Sequence, residues 1–267
     1  MAGMDERSRF LAAYDEQLRT DAETPGALAV TVLGPLRLVT FGGGRGFVTY
    51  RDLGGADAGE IVRLVGAALA HYQADLGITR VEWKTRGHDD APGLHESLVG
   101  HGFEAEEPES IMIGEARRLA VDVPLPDGVT LRQISAENDV RAMCAMSGQA
   151  FGDSDAESSA IADALLHRLS LDDGLELWVA EHDGRIVSAG RLEPVPDTDF
   201  AGIWGGSTLP EWRRRGIYRA LTAARARSAL RWGKTLVHSD STEYSRPILE
   251  RYGFLEVSTT TPYVWRR

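Results

Sequence analysis

Between Leu209 and Leu221 the chain reads LPEWRRRGIYRAL, three consecutive arginines and a glycine where an apolar run gives way to a helical one. That order suits the binding of an anion. The first backbone N–H groups of a helix lack internal partners, and the helix dipole adds positive potential at the same end. A diphosphate seated there answers both. Gly216 lets the backbone approach phosphate without a Cβ in the way, and Arg213, Arg214 and Arg215 can pair with phosphate oxygens from the flanks. The stretch is neither GxxxxGK[ST] nor a strand-borne GxGxxG, and GGGRG at 42–46 fits neither pattern and reads as a hairpin turn. An arginine run can also be a solvated helix face laced with salt bridges.

The elements around the motif follow from periodicity. A strand over 201–208 leads into the turn and a long helix runs on to Trp232. Upstream, the pattern predicts a strand at 129–134, helices at 136–151 and 155–169, and a strand at 175–181. Asp183-Gly184 is a hairpin signal into a strand at 186–193. Downstream lie a strand at 235–239, a helix near 247–251 and a last strand near Tyr263. The first half predicts a helix at 6–19, strands at 27–33, 36–41 and 47–50, and a helix at 58–76 ended by Gly77. A strand at 80–84, a helix at 93–99 and a strand at 111–113 follow. VDVPLPD, with its two prolines and no periodicity, marks a linker. The expected division is therefore a domain over 1–120, a linker over 121–128 and a second domain over 129–267.

A faint repeat joins the halves. A helix closes at Gly102-Phe103 with Ile113 ten positions beyond Phe103, and another closes at Gly253-Phe254 with Val264 ten beyond Phe254. The shared order of long helix, strand, short helix and Gly-Phe argues for two copies of one α/β unit.

Bulk properties narrow the classes. The 267 residues carry a net charge of −11, which opposes general binding to nucleic acid or to an anionic membrane. No run approaches the roughly 20 apolar residues of a membrane span. MAGMDERSRF is acidic at its start and lacks an apolar core, which speaks against a secretory leader. The single cysteine, Cys144, excludes an internal disulfide and a cysteine-built zinc cluster and reads as a buried small hydrophobe. A cytoplasmic protein without a metal site, monomeric or homodimeric, is expected.

With these residues in view, the second half resembles the GCN5-related N-acetyltransferases (GNAT). Their acyl-CoA loop is [QR]-x-x-G-x-[GA], and Arg213-x-x-Gly216-x-Tyr218 matches it except at the last place. Thr208-Leu209-Pro210 stands where the family often has V-x-P, and PILERYGF at 247–254 stands where the family has a helix closing in Gly-Phe. The resemblance covers residues 129 to the C-terminus. The first half is similar to the same fold but has RDLGGADAG in place of the loop, as a degenerate copy without CoA would. The implied fold is α/β (α+β), two GNAT-like domains, each a mixed, mostly antiparallel sheet flanked by helices.

The implied activity is transfer of an acetyl group from acetyl-CoA, as cosubstrate, to an amine of an unidentified small molecule or protein. The resemblance assigns the pantetheine arm to the backbone at Gly206, Ser207 and Thr208. It assigns the diphosphate to backbone N–H groups from Arg214 to Arg219, through Arg215, Gly216, Ile217 and Tyr218, with the guanidinium of Arg213 or Arg214 in support. Tyr218 replaces a small residue, and its Cβ should point away from the phosphates. The catalytic groups are less complete. The family's usual acid, a tyrosine, falls at Leu249, which leaves Tyr244, Ser241 and Tyr252 as substitutes. The strand before the loop, AGIWGG, has no carboxylate to act as base. Glu193 and Asp199 are nearest, and His238 could exchange a proton near neutral pH. Glu193 could equally be a surface residue at a strand end, Tyr244 a packing residue and His238 a structural one; Trp204 could line a substrate pocket. A non-catalytic acyl-CoA-binding or sensing protein is the alternative.

Overall fold

The computed structural model describes residues 5–267; residues 1–4, the opening of the stretch read against a leader, lie outside the described residues. The chain runs α1 (Glu6–Gln17), β1 (Ala29–Leu33), β2 (Leu36–Phe41), β3 (Arg45–Thr49), α2 (Ala58–Gln73) and β4 (Arg80–Arg86). Then come α3 (Leu94–Gly100), β5 (Glu104–Ala105), β6 (Glu109–Glu115), α4 (Ala116–Leu119) and β7 (Val129–Ile134). Next are α5 (Glu137–Phe151), α6 (Asp155–Ser170), β8 (Glu176–His182), β9 (Arg185–Pro194) and β10 (Phe200–Thr208). The chain ends with α7 (Ile217–Arg231), β11 (Leu236–Ser241), α8 (Arg246–Tyr252) and β12 (Leu255–Arg266). The mixed α/β character expected from the sequence is present. No helix of the described residues is long and apolar enough to cross a membrane.

Two compact units divide the chain, and neither is continuous in sequence. One comprises residues 1–112, 240–247 and 256–267, the other 113–239 and 248–255. This differs from a division at residues 121–128. That stretch lies inside the second unit, where Arg227 Nη1 donates to the Val121 carbonyl at 2.9 Å. The last strand belongs to the first unit because β12 pairs antiparallel with β4, from Thr260 opposite Arg86 to Arg266 opposite Arg80.

In the first unit β1, β2, β3, β4 and β12 lie side by side, antiparallel except for the parallel β3–β4 pair, and β5 pairs β12. Helix α2 begins at a reciprocal capping box between Asp57 and Glu60. Its stripe Ile61, Val65, Ala68, Leu69 and Tyr72 packs on Leu36, Leu38, Val48 and Trp83. It ends at Ala74 rather than Gly77, because the Asp75 carboxylate accepts the Gly77 N–H at 2.8 Å and turns the chain before the glycine is reached.

In the second unit β7, β8, β9 and β10 form an antiparallel meander, and β11 adds parallel to β10. Asp183 and Gly184 both have positive φ, 49° and 78°, as a two-residue hairpin requires. Met143, Cys144, Ala162 and Leu165 of α5 and α6 bury one face of the meander against Leu177, Val179 and Ala189. Ile217 and Leu221 of α7 cover the other, against Val129, Ala180 and Val187.

The Gly-Phe repeat is one capping device used twice. After α3, Gly102 (φ 84°) turns left-handed and the Phe103 N–H returns to the Leu98 carbonyl at 3.0 Å. After α8, Gly253 (φ 104°) does the same and the Phe254 N–H returns to the Leu249 carbonyl at 3.1 Å. Leu98, Phe103, Leu249 and Phe254 are all buried.

Candidate functional site

Strand β10 leaves its partner at the point where the site begins. Its pairing with β9 runs from Ala201 to Trp204, breaks, and resumes shifted at Ser207 opposite Ala189. Gly205 (φ 61°) and Gly206 occupy the break, a β-bulge that frees backbone groups from the ladder. A Cβ on Gly206 would stand 2.6 Å from Tyr218 Cε2 and 3.0 Å from its hydroxyl. Tyr218 therefore lies across a glycine, and this accounts for a large residue where the resemblance expects a small one. The volume is exchanged between helix and strand. On the other side of the strand Ser207 hydrogen-bonds Ser147 of α5 at 2.8 Å.

The loop after β10 is tied down by side chains that leave its backbone donors open. Arg213 Nε donates to the Thr208 carbonyl at 3.0 Å and its Nη2 to the Ala150 carbonyl at 3.4 Å. The Arg215 guanidinium lies 4.8 Å from the Trp212 ring, which in turn meets the His182 ring at a tilt of 47°. Arg214 is the one residue of the run in the left-handed region, at φ 61°. It is exposed and makes no hydrogen bond or ion pair among the described residues. Gly216 (φ 82°) caps α7 with no side-chain acceptor.

As a result, none of the backbone N–H groups from Arg214 through Arg219 meets an acceptor among the described residues; the first helical bond is Ala220 N–H to the Gly216 carbonyl at 3.0 Å. Consecutive donors at a left-handed turn and a helix start form a concave anion site. Nothing lies closer than 3.9 Å to where a Cβ on Gly216 would be, so the cradle is open. These features fit the diphosphate of acyl-CoA. Of the arginines, Arg213 and Arg215 are engaged within the loop, and Arg214 is available to an anion.

Below the bulge, Arg225 is fully buried, with Nη1 on the Arg191 carbonyl at 3.1 Å, Nε on the Leu221 carbonyl at 3.3 Å and Nη2 on Thr222 Oγ1 at 3.4 Å. Burial holds it below the usual arginine range, and Tyr218 partly opposes that. Its guanidinium fills the space at Gly190, where a Cβ would stand 2.5 Å from Nη1. Tyr252 lies 6.3 Å from Tyr218, ring to ring, and under the Arg219 guanidinium at 5.5 Å; burial pushes its hydroxyl up.

Two of the three catalytic candidates come together. Gly202 of β10 pairs with Glu193 on one side and with His238 on the other, so both lie in one row across the sheet. Strand spacing separates their Cα atoms by about 10 Å. The Trp204 indole folds back over Gly202 and meets His238 edge-on at 5.2 Å. Glu193 accepts from Arg168 Nη1 at 2.8 Å and has Arg191 Nε at 3.2 Å. Tyr244 belongs to the first unit, 81% exposed and hydrogen-bonded to Glu243, whose charge raises its hydroxyl. It is not in this row. Leu249, at the usual acid position, is wholly buried and serves the helix cap. Cys144 is buried, as expected, and burial raises its thiol.

Sequence reading missed Arg191 and Arg225. Arg191 was detectable as the residue two before Glu193, which the period of a strand puts on the same face. Arg225 continues the Ile217–Leu221 stripe at a spacing of four, a position that normally signals an apolar residue.

The comparisons agree with this geometry. Residues 141–254 match the model of the Acetyltransferase (GNAT) family. A GCN5-related N-acetyltransferase from Kribbella flavida is similar over 98% of this chain and 96% of its own, at 19% identity and a TM-score of 0.68. A functionally unknown conserved protein from Staphylococcus epidermidis is similar over 93% and 98%, at 14% identity and 0.70. A tandem GNAT protein from the clavulanic acid biosynthesis pathway, without AcCoA, is similar over 86% and 78%, at 16% identity and 0.61. No curated protein matches the sequence. Such identities establish fold alone, and the family model matches the segment that holds the loop. Residues 141–254 are thus similar to the Acetyltransferase (GNAT) family, in a chain that along its length takes the fold of the GCN5-related N-acetyltransferase from Kribbella flavida.

Proposed function

We propose that the protein is an N-acetyltransferase that moves the acetyl group of acetyl-CoA to an amine. The family and the fold support acyl-CoA-dependent acetyl transfer in general. The observation that carries the finer reading is the run of unbonded N–H groups from Arg214 to Arg219 at an uncapped helix start, beside a strand that bulges away from β9 and no longer pairs with β11 beyond Gly202. The diphosphate takes those donors with Arg214 beside it, and the pantetheine arm takes the β11-side edge of β10 along Gly206, Ser207 and Thr208, beyond Gly202 where pairing with β11 ends.

In the reaction the neutral amine nitrogen attacks the thioester carbonyl carbon, the C–S bond breaks, a base takes the nitrogen's proton, and the departing thiolate acquires one. His238 is the base in this reading, since Glu193 is held by arginine and an imidazole exchanges protons near neutral pH. The thiolate is protonated by solvent or by Tyr252, the phenol nearest Tyr218 and the bulge.

The test is CoA release from acetyl-CoA with a panel of amines, run beside calorimetric titration of acetyl-CoA. Binding with amine-dependent release supports the reading. Binding with no release for any amine makes the protein an acyl-CoA sensor, and absence of binding removes both.

A further inference from the structure

On the α5–α6 side of the second unit, arginines and carboxylates share contacts unevenly. Arg168 is engaged at all three nitrogens: Nη1 donates to Glu193 at 2.8 Å, and Nε and Nη2 donate to Asp173 at 3.2 and 2.9 Å. Arg191, directly opposite Trp204 in the β9–β10 pairing, is not. Glu193 Oε1 is 3.2 Å from Arg191 Nε but off the N–H direction, so Nε is buried without a hydrogen bond. No described residue accepts from Nη1 or Nη2 either. A guanidinium has five donors, and in this one all are unused.

Its surroundings reinforce the point. Burial draws Arg191 below the usual arginine range, Glu193 opposes this, and Arg168 adds to it. The side chain keeps 30% of its surface open, so it can be reached. Its Cζ and Nε stand 4.0 Å from where a Cβ on Gly205 would be, at the bulge where β10 leaves its partner. His238, on β11 opposite Gly202 and three residues short of Gly205, lies on this same face and meets the Trp204 ring. A cation with idle donors thus lies beside the bulged strand, on the face of the sheet that carries the base. A planar carboxylate is the group whose two oxygens match two parallel N–H bonds from such a fork.

We propose that Arg191 binds a carboxylate on the acceptor, so that the amine this protein acetylates is borne by a small amino acid or amino-carboxylate. This rests on the acetyltransferase reading above and names its substrate class. Glu193 sets the orientation of the fork without using its donors, and Arg168 with Asp173 holds Glu193 in place.

The test uses the full chain at saturating acetyl-CoA. Amino acids and other amino-carboxylates are each compared with the matching amide and the matching decarboxylated amine, following CoA release. One charge-assisted pairing predicts that kcat/KM for the carboxylate exceeds that for its amide by about 10- to 100-fold. Arg191→Gln brings the ratio near unity while the Kd for acetyl-CoA stays unchanged, and Arg191→Lys, which keeps charge and stem but not the fork, falls between. Where Arg191→Gln lowers Tm enough to obscure turnover, Arg191→Lys carries the comparison. A wild-type preference for the uncharged amine overturns the proposal, as does a preference that survives Arg191→Gln. So does acetyl-CoA binding with neither turnover nor a Tm shift for any carboxylate in the panel. Failure of acetyl-CoA itself to bind, read separately by calorimetry, instead overturns the acetyltransferase reading and this one with it.

Discussion

Replacing Gly216 by glutamate separates what the loop does for a ligand from what it does for the fold. Gly216 sits at φ 82°, which costs a non-glycine residue about 1–2 kcal/mol. Space is not the obstacle, since the nearest atom to an added Cβ is the Pro124 carbonyl oxygen at 3.9 Å. The new carboxylate stands over N–H groups that have no acceptor of their own and supplies one, as a capping side chain does, for about 1 kcal/mol in return. Stability should therefore change by about 1 kcal/mol or less, a Tm shift of about 2–4 °C at most for a chain of this size. Binding should change far more. A carboxylate about 5 Å from one diphosphate charge costs about 3 kcal/mol at an effective dielectric of 20. Displacing even one charge-assisted hydrogen bond adds about 1.5–3 kcal/mol. Together these predict a loss of acetyl-CoA affinity of about 10³-fold or more. Gly216→Ala is the control, carrying the backbone cost without the charge, and should hold affinity within about tenfold. Calorimetric titration of both variants at one fixed salt concentration decides the matter. A Gly216→Glu protein that binds acetyl-CoA within threefold of wild type refutes the assignment of the diphosphate to this loop.

Gly206→Ala puts a methyl 2.6 Å from Tyr218 Cε2, so overpacking should cost about 1–3 kcal/mol of stability; Tyr218→Ala in the same chain should recover most of it, as thermal unfolding of the double-mutant cycle would show. His238→Asn should lower kcat by about 10²–10⁴-fold with the acetyl-CoA Kd unchanged, measured at saturating acceptor; an unaltered kcat removes His238 as the base. In the first unit, burial pushes the Glu23 carboxyl up, but Arg86 and Lys84 outweigh it and hold it below the usual range. A group depressed in the folded state adds stability above its unfolded pKa, and this is lost as pH falls through the folded one. Wild-type Tm should thus drop on acidification from about pH 4.5 downward, and Glu23→Gln should lose about 3–5 kcal/mol at neutral pH while flattening that part of the profile.

What could be read from the chain depended on how local its cause was. The arginine-glycine turn, the Asp183-Gly184 hairpin and the Gly-Phe helix ends are each written in a few adjacent residues, and each stands where those residues put it. The helix over 58–73 was legible from its stripe, but its end was not: Gly77 is the stronger cap by type, and the Asp75 side chain reaches the backbone first. Long-range causes left no local mark. Nothing within 255–266 says that its ladder partner is 80–86, so a reading by sequence order groups the last strand with residues 129–254 rather than with the first unit. Tyr218 looked like a departure from a motif because the compensating glycine lies twelve residues earlier, at Gly206.

In the proposed reading, binding and catalysis rest on different means, and that explains why the residues for the first are many and those for the second sparse. The diphosphate cradle is made of backbone, so it needs only the dihedral angles that Gly216 permits and Arg214 adopts. The side chains near it are free to take other work: Arg213 fastens the strand end, Arg215 stacks on Trp212, and Tyr218 fills the bulge. An acid must be a particular side chain at a particular place. At position 249 that place is taken by the helix cap, which returns the Phe254 N–H to the Leu249 carbonyl and buries the leucine completely. The same cap at Leu98 and Phe103, in a half without the arginine loop, indicates that position 249 follows a packing rule common to both helix ends. In the proposed reaction proton transfer therefore falls to the row that crosses Gly202, where His238 and Glu193 flank a glycine, and the proposed acceptor site falls to Arg191, whose donors no described residue uses.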